Sequence, residues 1–199
     1  MQLHPTRKMT QSSTLEIHGR QACPFAWRAR LVAAEKQLAF RWIPFDVTDP
    51  DPRASANPER KSPLIIDGDF RLIESEVIAW YLDERYSGPS LTPTDPQARA
   101  QLRLQLVELE SLKPSGPPSV PMTQEAVDRI RKVMLKLDAH LADGRAFLGG
   151  NAPSLVDLLL WPMLAALDAR GVTLTEQTPN ALAWWARAQA RESYRTTSP

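Results

Sequence analysis

Cys23-Pro24-Phe25-Ala26-Trp27-Arg28-Ala29-Arg30-Leu31 is the stretch on which the fold turns. Leu15 to His18, before it, reads as a strand. Pro24 to Gln37 reads as a helix, opened by a proline whose missing N–H is no loss in a first turn. A cysteine at such a junction meets the free N–H groups and partial positive charge of a helix start. That setting favours thiolate over thiol and can bring an ordinary cysteine pKa of about 8.5 toward neutrality. Arg28 and Arg30 add positive charge to the same helix, although an ordinary helix is expected to point them away from residue 23. Ala26 stands where a Cys-x-x-Cys pair would carry its second sulfur, so a mixed disulfide on Cys23 needs an external thiol to resolve it. The competing reading of a lone cysteine is a small buried hydrophobe. The strand–Cys-Pro–helix context favours chemistry.

Outward from this junction the first half of the chain alternates. Phe40 to Ile43 reads as a second strand, and Asp46 to Asn57 as an irregular connection broken by prolines. Pro63 to Ile66 and Phe70 to Ile73 then flank Asp67-Gly68-Asp69, where Asp-Gly supplies the positive backbone dihedrals of a tight hairpin. Glu76 to Tyr86 is a helix with Val77, Ile78, Tyr81 and Leu82 on one face. The order is βαβ, break, ββα over residues 14–86. Residues 87–97 are rich in Ser, Gly, Pro and Thr and read as a linker ending at an Asp95-Pro96 helix start.

From 98 to 199 everything reads as helical. Ala98 to Leu112 and Gln124 to Ala142 carry apolar stripes, the second capped by Thr123, with a proline-rich loop from Lys113 to Pro121 between them. Ser154 and Asp157 form a capping-box pattern ahead of Leu155 to Trp161, a run apolar on every side that predicts a central helix loosened near Pro162. Thr178-Pro179 starts a last helix with Leu182 and Trp185 turned inward.

Composition narrows the function classes. The 199 residues are 43% hydrophobic and 24% charged, with a net charge of +1, which fits an ordinary folded domain pair without a global field toward nucleic acid or anionic membrane. One cysteine excludes a disulfide framework and a multi-cysteine metal site, and suits a reducing compartment. His4, His18 and His140 are too scattered in sequence to suggest a ligand cluster, so no metal is expected. No apolar run approaches the ~18 residues of a membrane span, and residues 1–13 read as a short mobile tail without the apolar segment of a secretory signal. The expected location is cytoplasmic.

Two further features bear on a site. Ser62-Pro63 enters a strand where proline cannot donate to the ladder. A cis bond there would turn the backbone N–H and C=O of Ser62 toward an extended ligand; the other reading is an ordinary edge-strand proline. Glu74-Ser75 opens a helix, where Ser75 is expected as the N-cap, its hydroxyl and the following N–H groups suited to a carboxylate and Glu74 to an ammonium. His18, a candidate base, also reads as a simple strand-end histidine, and Arg60-Lys61 as a solvated basic pair, the alternative being attraction of a ligand carboxylate.

Taken together, Cys23 to Leu31, Asn57-Pro58 through Ser62-Pro63-Leu64, Glu74-Ser75-Glu76-Val77-Ile78 with Tyr81-Leu82, and Phe147 through Asp157 resemble the cytosolic glutathione transferases. The resemblance runs from about residue 15 to 195. It implies a glutathione transferase fold: an α/β N-terminal thioredoxin-like, glutathione-binding domain followed by an all-α helical domain, in a homodimer. No tyrosine precedes Tyr81, and Ser12 and Ser13 lie ahead of the first strand, so Cys23 takes the activating position, as in the omega class and related bacterial proteins. That class implies a mixed disulfide with glutathione and thioltransferase or dehydroascorbate-reductase-like activity. The resemblance carries Glu74 and Ser75 to the γ-glutamyl group, and the Ser62 backbone beside Pro63 to the cysteinyl part. Ser62 departs from the valine usual before that proline, and the 113–121 loop from the helical hairpin usual beside the second-substrate site. Residues 74–103 also resemble stringent starvation protein A, a family on the same fold that binds RNA polymerase. The histidine between prolines carried there by that family is missing.

Overall fold

A computed structural model describes residues 14–45, 61–116 and 118–199. The expected 1–13 tail, the Asp46–Asn57 connection, Asn57-Pro58 and Arg60 lie outside the described residues. Four strands form one sheet in the order β2-β1-β3-β4: β1 (Leu15–Gly19), β2 (Phe40–Pro44), β3 (Leu64–Asp67) and β4 (Phe70–Ile73). The β1–β2 pair is parallel, joined by α1 (Pro24–Glu35), and the β1–β3 and β3–β4 pairs are antiparallel. The hairpin closes as the sequence predicts, with Asp67 opposite Phe70 and Gly68 at φ 64° in the left-handed region that glycine enters without a Cβ penalty. Next comes α2 (Ser75–Arg85), and with it the βαβ, ββα domain is complete.

The helical part comprises α3 (Pro96–Leu109), α4 (Gln124–His140), α5 (Leu155–Asp168), α6 (Pro179–Ala190) and α7 (Glu192–Thr197). Its central helix is α5, where Leu155 through Leu164 are buried without a break. An interior position leaves no face for polar residues, which explains the missing polar stripe. The Asp157 carboxylate, fully buried at the start of α5, accepts the backbone N–H of Leu148 and Ser154, the Ser154 hydroxyl and the Trp184 indole N–H, at 2.6 to 2.9 Å. Burial pushes its pKa up, against the pull of those donors.

Several element ends depart from the sequence expectation. The α1 helix stops at Glu35 because Gln37 adopts φ 58° and Leu38 N–H turns back to the Ala33 carbonyl. The α3 helix begins at Pro96 instead of Ala98, since Asp95 already caps it by accepting the Ala98 N–H at 2.7 Å. On α6, Ala181 and Trp184 are fully buried with Trp185, while Leu182 is only partly buried. Helix α7 has no separate expectation in the sequence: its Tyr194 and Thr197 pack on Trp27 of α1, edge-on at 5.0 Å and as a 2.8 Å acceptor, and Tyr194 also meets Trp185 of α6 edge-on at 5.5 Å.

The residues expected as a linker are pinned between the two halves. Asp83 of α2 is bonded by Lys36 Nζ, the Leu91 N–H and the Thr92 hydroxyl, and Lys36 also reaches the Pro89 carbonyl. Lys36 and Asp83 are both buried, so each charge relies on the other and on these added hydrogen bonds. A Cβ on Gly88 would stand 2.6 Å from the Lys36 carbonyl oxygen, which explains glycine there. Helix α1 packs on α2, α5 and α7, so its start is held from both halves of the chain.

Candidate active site

Cys23 is the N-cap of α1, with extended backbone. Its carbonyl accepts the Trp27 N–H at 3.0 Å, the first helical bond, and its N–H donates to Arg20 at 3.1 Å. No side chain caps this helix, so its first N–H groups are left for a solvent or ligand atom at the sulfur. The thiol is 5% exposed and donates to the Ser62 carbonyl at 3.6 Å, while the Ser62 hydroxyl accepts the Arg20 N–H at 2.9 Å. The backbone of Ser62, and not its hydroxyl, therefore meets the sulfur; the hydroxyl is engaged by Arg20. The Ser62-Pro63 bond is cis. The close approach of these segments needs Gly19, where a Cβ would stand 2.6 Å from Ala26 Cβ and 2.9 Å from Ser62 Oγ.

Glu74 and Ser75 lie across the same cleft. The N-cap of α2 is Glu74, at φ 70°, and Ser75 is the first helical residue, which corrects the expectation that Ser75 caps. The left-handed backbone at Glu74 turns the chain so that α2 begins one residue earlier than Glu76. The Glu74 carboxylate pairs with Lys61 at 2.9 Å, and no side chain caps α2. Arg20, Phe25, Lys61, Ser62, Pro63, Glu74 and Ser75 line a cavity of about 310 Å³. A larger cavity, about 830 Å³, lies at the far end of α1, lined by Glu35, Phe147, Arg187 and Arg191 among others. No cysteine or histidine lines it, so size does not locate the chemistry here.

The arginines of α1 do not point away as expected. Arg30 is two helical turns beyond Cys23, hence on the same face, and both Arg28 and Arg30 interact electrostatically with Cys23. Burial lowers the pKa of each, that of Arg28 to about 10. The Arg30 guanidinium lies 4.4 Å from the Trp42 ring centre, and its Nε and Nη2 are buried without a hydrogen-bond partner. Arg28 Nε donates to the Leu159 carbonyl at 2.7 Å and its Nη1 to the Ser75 hydroxyl at 3.4 Å. His18 is buried with its Nε2 2.8 Å from Glu16, an ion-pair arrangement that accounts for the ring as a strand residue. Among the described residues no group of three or more His, Cys, Asp or Glu is arranged to hold a metal ion, and no helix is long and apolar enough to cross a membrane.

The fold brings Ser62, Pro63, Glu74 and Ser75 to one cleft with Phe25 of α1, and places the Cys23 sulfur beside it, 3.6 Å from the Ser62 carbonyl. It adds Arg20 and the Arg28 link, which the sequence does not show. Arg28 and Leu159 are 131 residues apart, so no local pattern in the sequence pairs them.

A mixed four-stranded sheet with α1 and α2, followed by a helical bundle, and a cleft at the first strand–helix junction define the class: a glutathione transferase fold. The glutathione S-transferase N-terminal domain matches residues 17–90 and the C-terminal domain residues 96–187. The chain belongs to the glutathione S-transferase superfamily. It is 30% identical over 185 residues to glutathione S-transferase omega-1 of Rattus norvegicus, covering 88% of this chain and 76% of the relative. It is 29% identical over 172 residues to a stringent starvation protein A homolog of Coxiella burnetii, covering 82% and 81%. A glutathione S-transferase structure from Methylobacillus flagellatus with glutathione bound superposes with TM-score 0.78 at 25% identity, over 94% of this chain and 100% of that one.

Proposed function

We propose that this protein is a cysteine-type glutathione-dependent thiol–disulfide oxidoreductase with Cys23 as nucleophile. The observation that carries the reading is the convergence of two helix starts without side-chain caps, at Cys23 and Glu74, on one cleft with the Ser62 backbone between them. The cleft presents two cations, Arg20 and Lys61, and one carboxylate, Glu74. Glutathione has the inverse pattern, two carboxylates and one ammonium. In this reading Glu74 takes the ammonium from Lys61, Ser75 and the start of α2 take the γ-glutamyl carboxylate, and Ser62 beside Pro63 pairs with the cysteinyl backbone.

The cycle runs in two exchanges. Cys23 thiolate attacks the glutathionyl sulfur of a mixed disulfide RS–SG; the RS–S bond breaks, RS⁻ leaves and takes a proton, and Cys23–S–SG forms. A second glutathione thiolate attacks the Cys23-bound glutathionyl sulfur, giving glutathione disulfide and regenerating Cys23 thiolate. The N–H groups at the start of α1 stabilise the departing thiolate. The omega-1 relative supports the cysteine type. The protein is expected to be a cytoplasmic homodimer; the exposure of Val77, Leu104 and Val107 on α2 and α3 supports pairing through that face.

The stringent starvation protein A homolog supports a second reading, a non-catalytic protein of the same fold that binds RNA polymerase. Intact mass after brief exposure to glutathione disulfide near neutral pH separates them. One adduct, formed much faster than on a cysteine peptide and slowed in Glu74→Ala, is the result expected for the enzyme. An adduct formed at the peptide's rate, or none, moves the assignment to the interaction protein, with polymerase pull-down as its test.

A further inference from the structure

Ser75 is buried, at 6% exposure, yet it is the first residue of a helix whose leading N–H groups no side chain caps. Its hydroxyl has one identified donor, Arg28 Nη1. An oxygen that accepts from a guanidinium keeps its own proton for another acceptor. Arg28 is itself held from the opposite half of the chain, through Nε to the Leu159 carbonyl at 2.7 Å. That carbonyl belongs to the interior of α5, so the bond runs from α1 of the first half to the central helix of the second. The Arg28 guanidinium lies 5.2 Å from the centre of the Phe25 ring. Among the described residues, Glu76 and Cys23 supply opposite charge to Arg28.

We propose that Arg28 is a positioning residue for the glutathione site: it fixes the Ser75 hydroxyl as a donor toward the γ-glutamyl carboxylate and ties that donor to α5 of the helical domain. The proposal rests on the glutathione reading above. It assigns to this half-buried arginine the recognition of one functional group of the ligand, and it makes the helical domain a contributor to a site otherwise built from the first domain. Arg28 does not touch the reacting sulfurs in this arrangement; it acts through Ser75.

The test compares binding of two ligands, S-methylglutathione and its analogue in which 4-aminobutyrate replaces the γ-glutamyl residue, so that the α-carboxylate is lost while the ammonium keeps its carbon. A third ligand, with the ammonium removed and the carboxylate kept, separates those two groups. In Arg28→Met, affinity for S-methylglutathione should fall about tenfold, the size of one charge-assisted hydrogen bond, while affinity for the carboxylate-free analogue stays within about twofold of wild type. Ser75→Ala should show the same selective loss, and the double variant should lose no more than either alone. Arg28→Lys, which keeps the charge and loses the paired geometry, is measured alongside in case the methionine variant fails to fold, and should show the same selectivity at smaller size. Equal loss for all three ligands, or additive losses in the double variant, overturns the proposal and makes Arg28 a structural tie. Failure of wild type to bind S-methylglutathione overturns the glutathione reading itself, a result distinct from any change produced at Arg28.

Discussion

The helix starts of the sheet-containing half and those of α3 to α6 in the helical half are built in opposite ways, while the short α7 has no side-chain cap. In the helical half, Asp95 caps α3, Thr123 accepts the Ala126 N–H at the head of α4, Ser154 and Asp157 close the head of α5, and Asp138 of α4 reaches across to accept the Ala181 N–H of α6 at 2.9 Å. In the sheet-containing half, α1 begins at Cys23 and α2 at Glu74, and neither receives a side-chain cap. Those two starts face one cleft. A capped helix start has spent its donors on stability, worth about 1 kcal/mol each; an uncapped one keeps them for an anion or thiolate. On the proposed function, the difference separates helix starts that hold the fold from helix starts left for a ligand.

Cys23→Ser breaks the comparison most sharply. It should abolish adduct formation with glutathione disulfide, read by intact mass, while placing a better cap on α1 and raising stability by about 0.5 kcal/mol or more in denaturant titration. Retained exchange in this variant would end the mechanism. Asp157→Ala attacks the opposite kind of helix start. Four donors lose a buried acceptor together, so the protein should lose about 3 kcal/mol or more of stability, read as a lower denaturant midpoint. Asp95→Ala and Thr123→Ala sharpen the contrast at a smaller scale, each expected to cost about 1 kcal/mol with unchanged adduct rate at Cys23. Glu74→Ala should be the mirror image. It should slow glutathione adduct formation about tenfold through loss of one charge-assisted contact, yet shift stability by no more than about 0.5 kcal/mol, because Glu74 caps nothing and its ion pair with Lys61 is exposed.

The sequence was legible wherever structure follows from neighbours in the chain. Strand alternation at Leu15 to Ile17, the Asp67-Gly68 turn and the Asp95, Thr123 and Ser154 caps all depend on residues within a few positions of one another. The candidate site was legible to the same degree: Cys23 between strand and helix, Ser62-Pro63 at a strand entrance and Glu74-Ser75 at a helix start are local patterns. The exchange of capping roles between Glu74 and Ser75 was not, because it hinges on one left-handed backbone angle. Arg28 and Arg30 were misplaced for a different reason. Helix geometry alone assigns each side chain a direction, but where a long guanidinium ends depends on what receives it: Trp42 from β2, Leu159 from α5 and Ser75 from α2.

Local sequence thus set the element order as far as α6, most helix starts to within two residues and a single cysteine at the first of them, since these follow from periodicity, proline, glycine and capping chemistry acting over one or two turns. Only the tertiary structure decided that two uncapped starts share a cleft, that Asp138 caps a helix 43 residues away, and that α7 closes over Trp27. Those contacts join segments distant in the chain. They are fixed by which surfaces pack once the core forms, and no local pattern of residues encodes that choice.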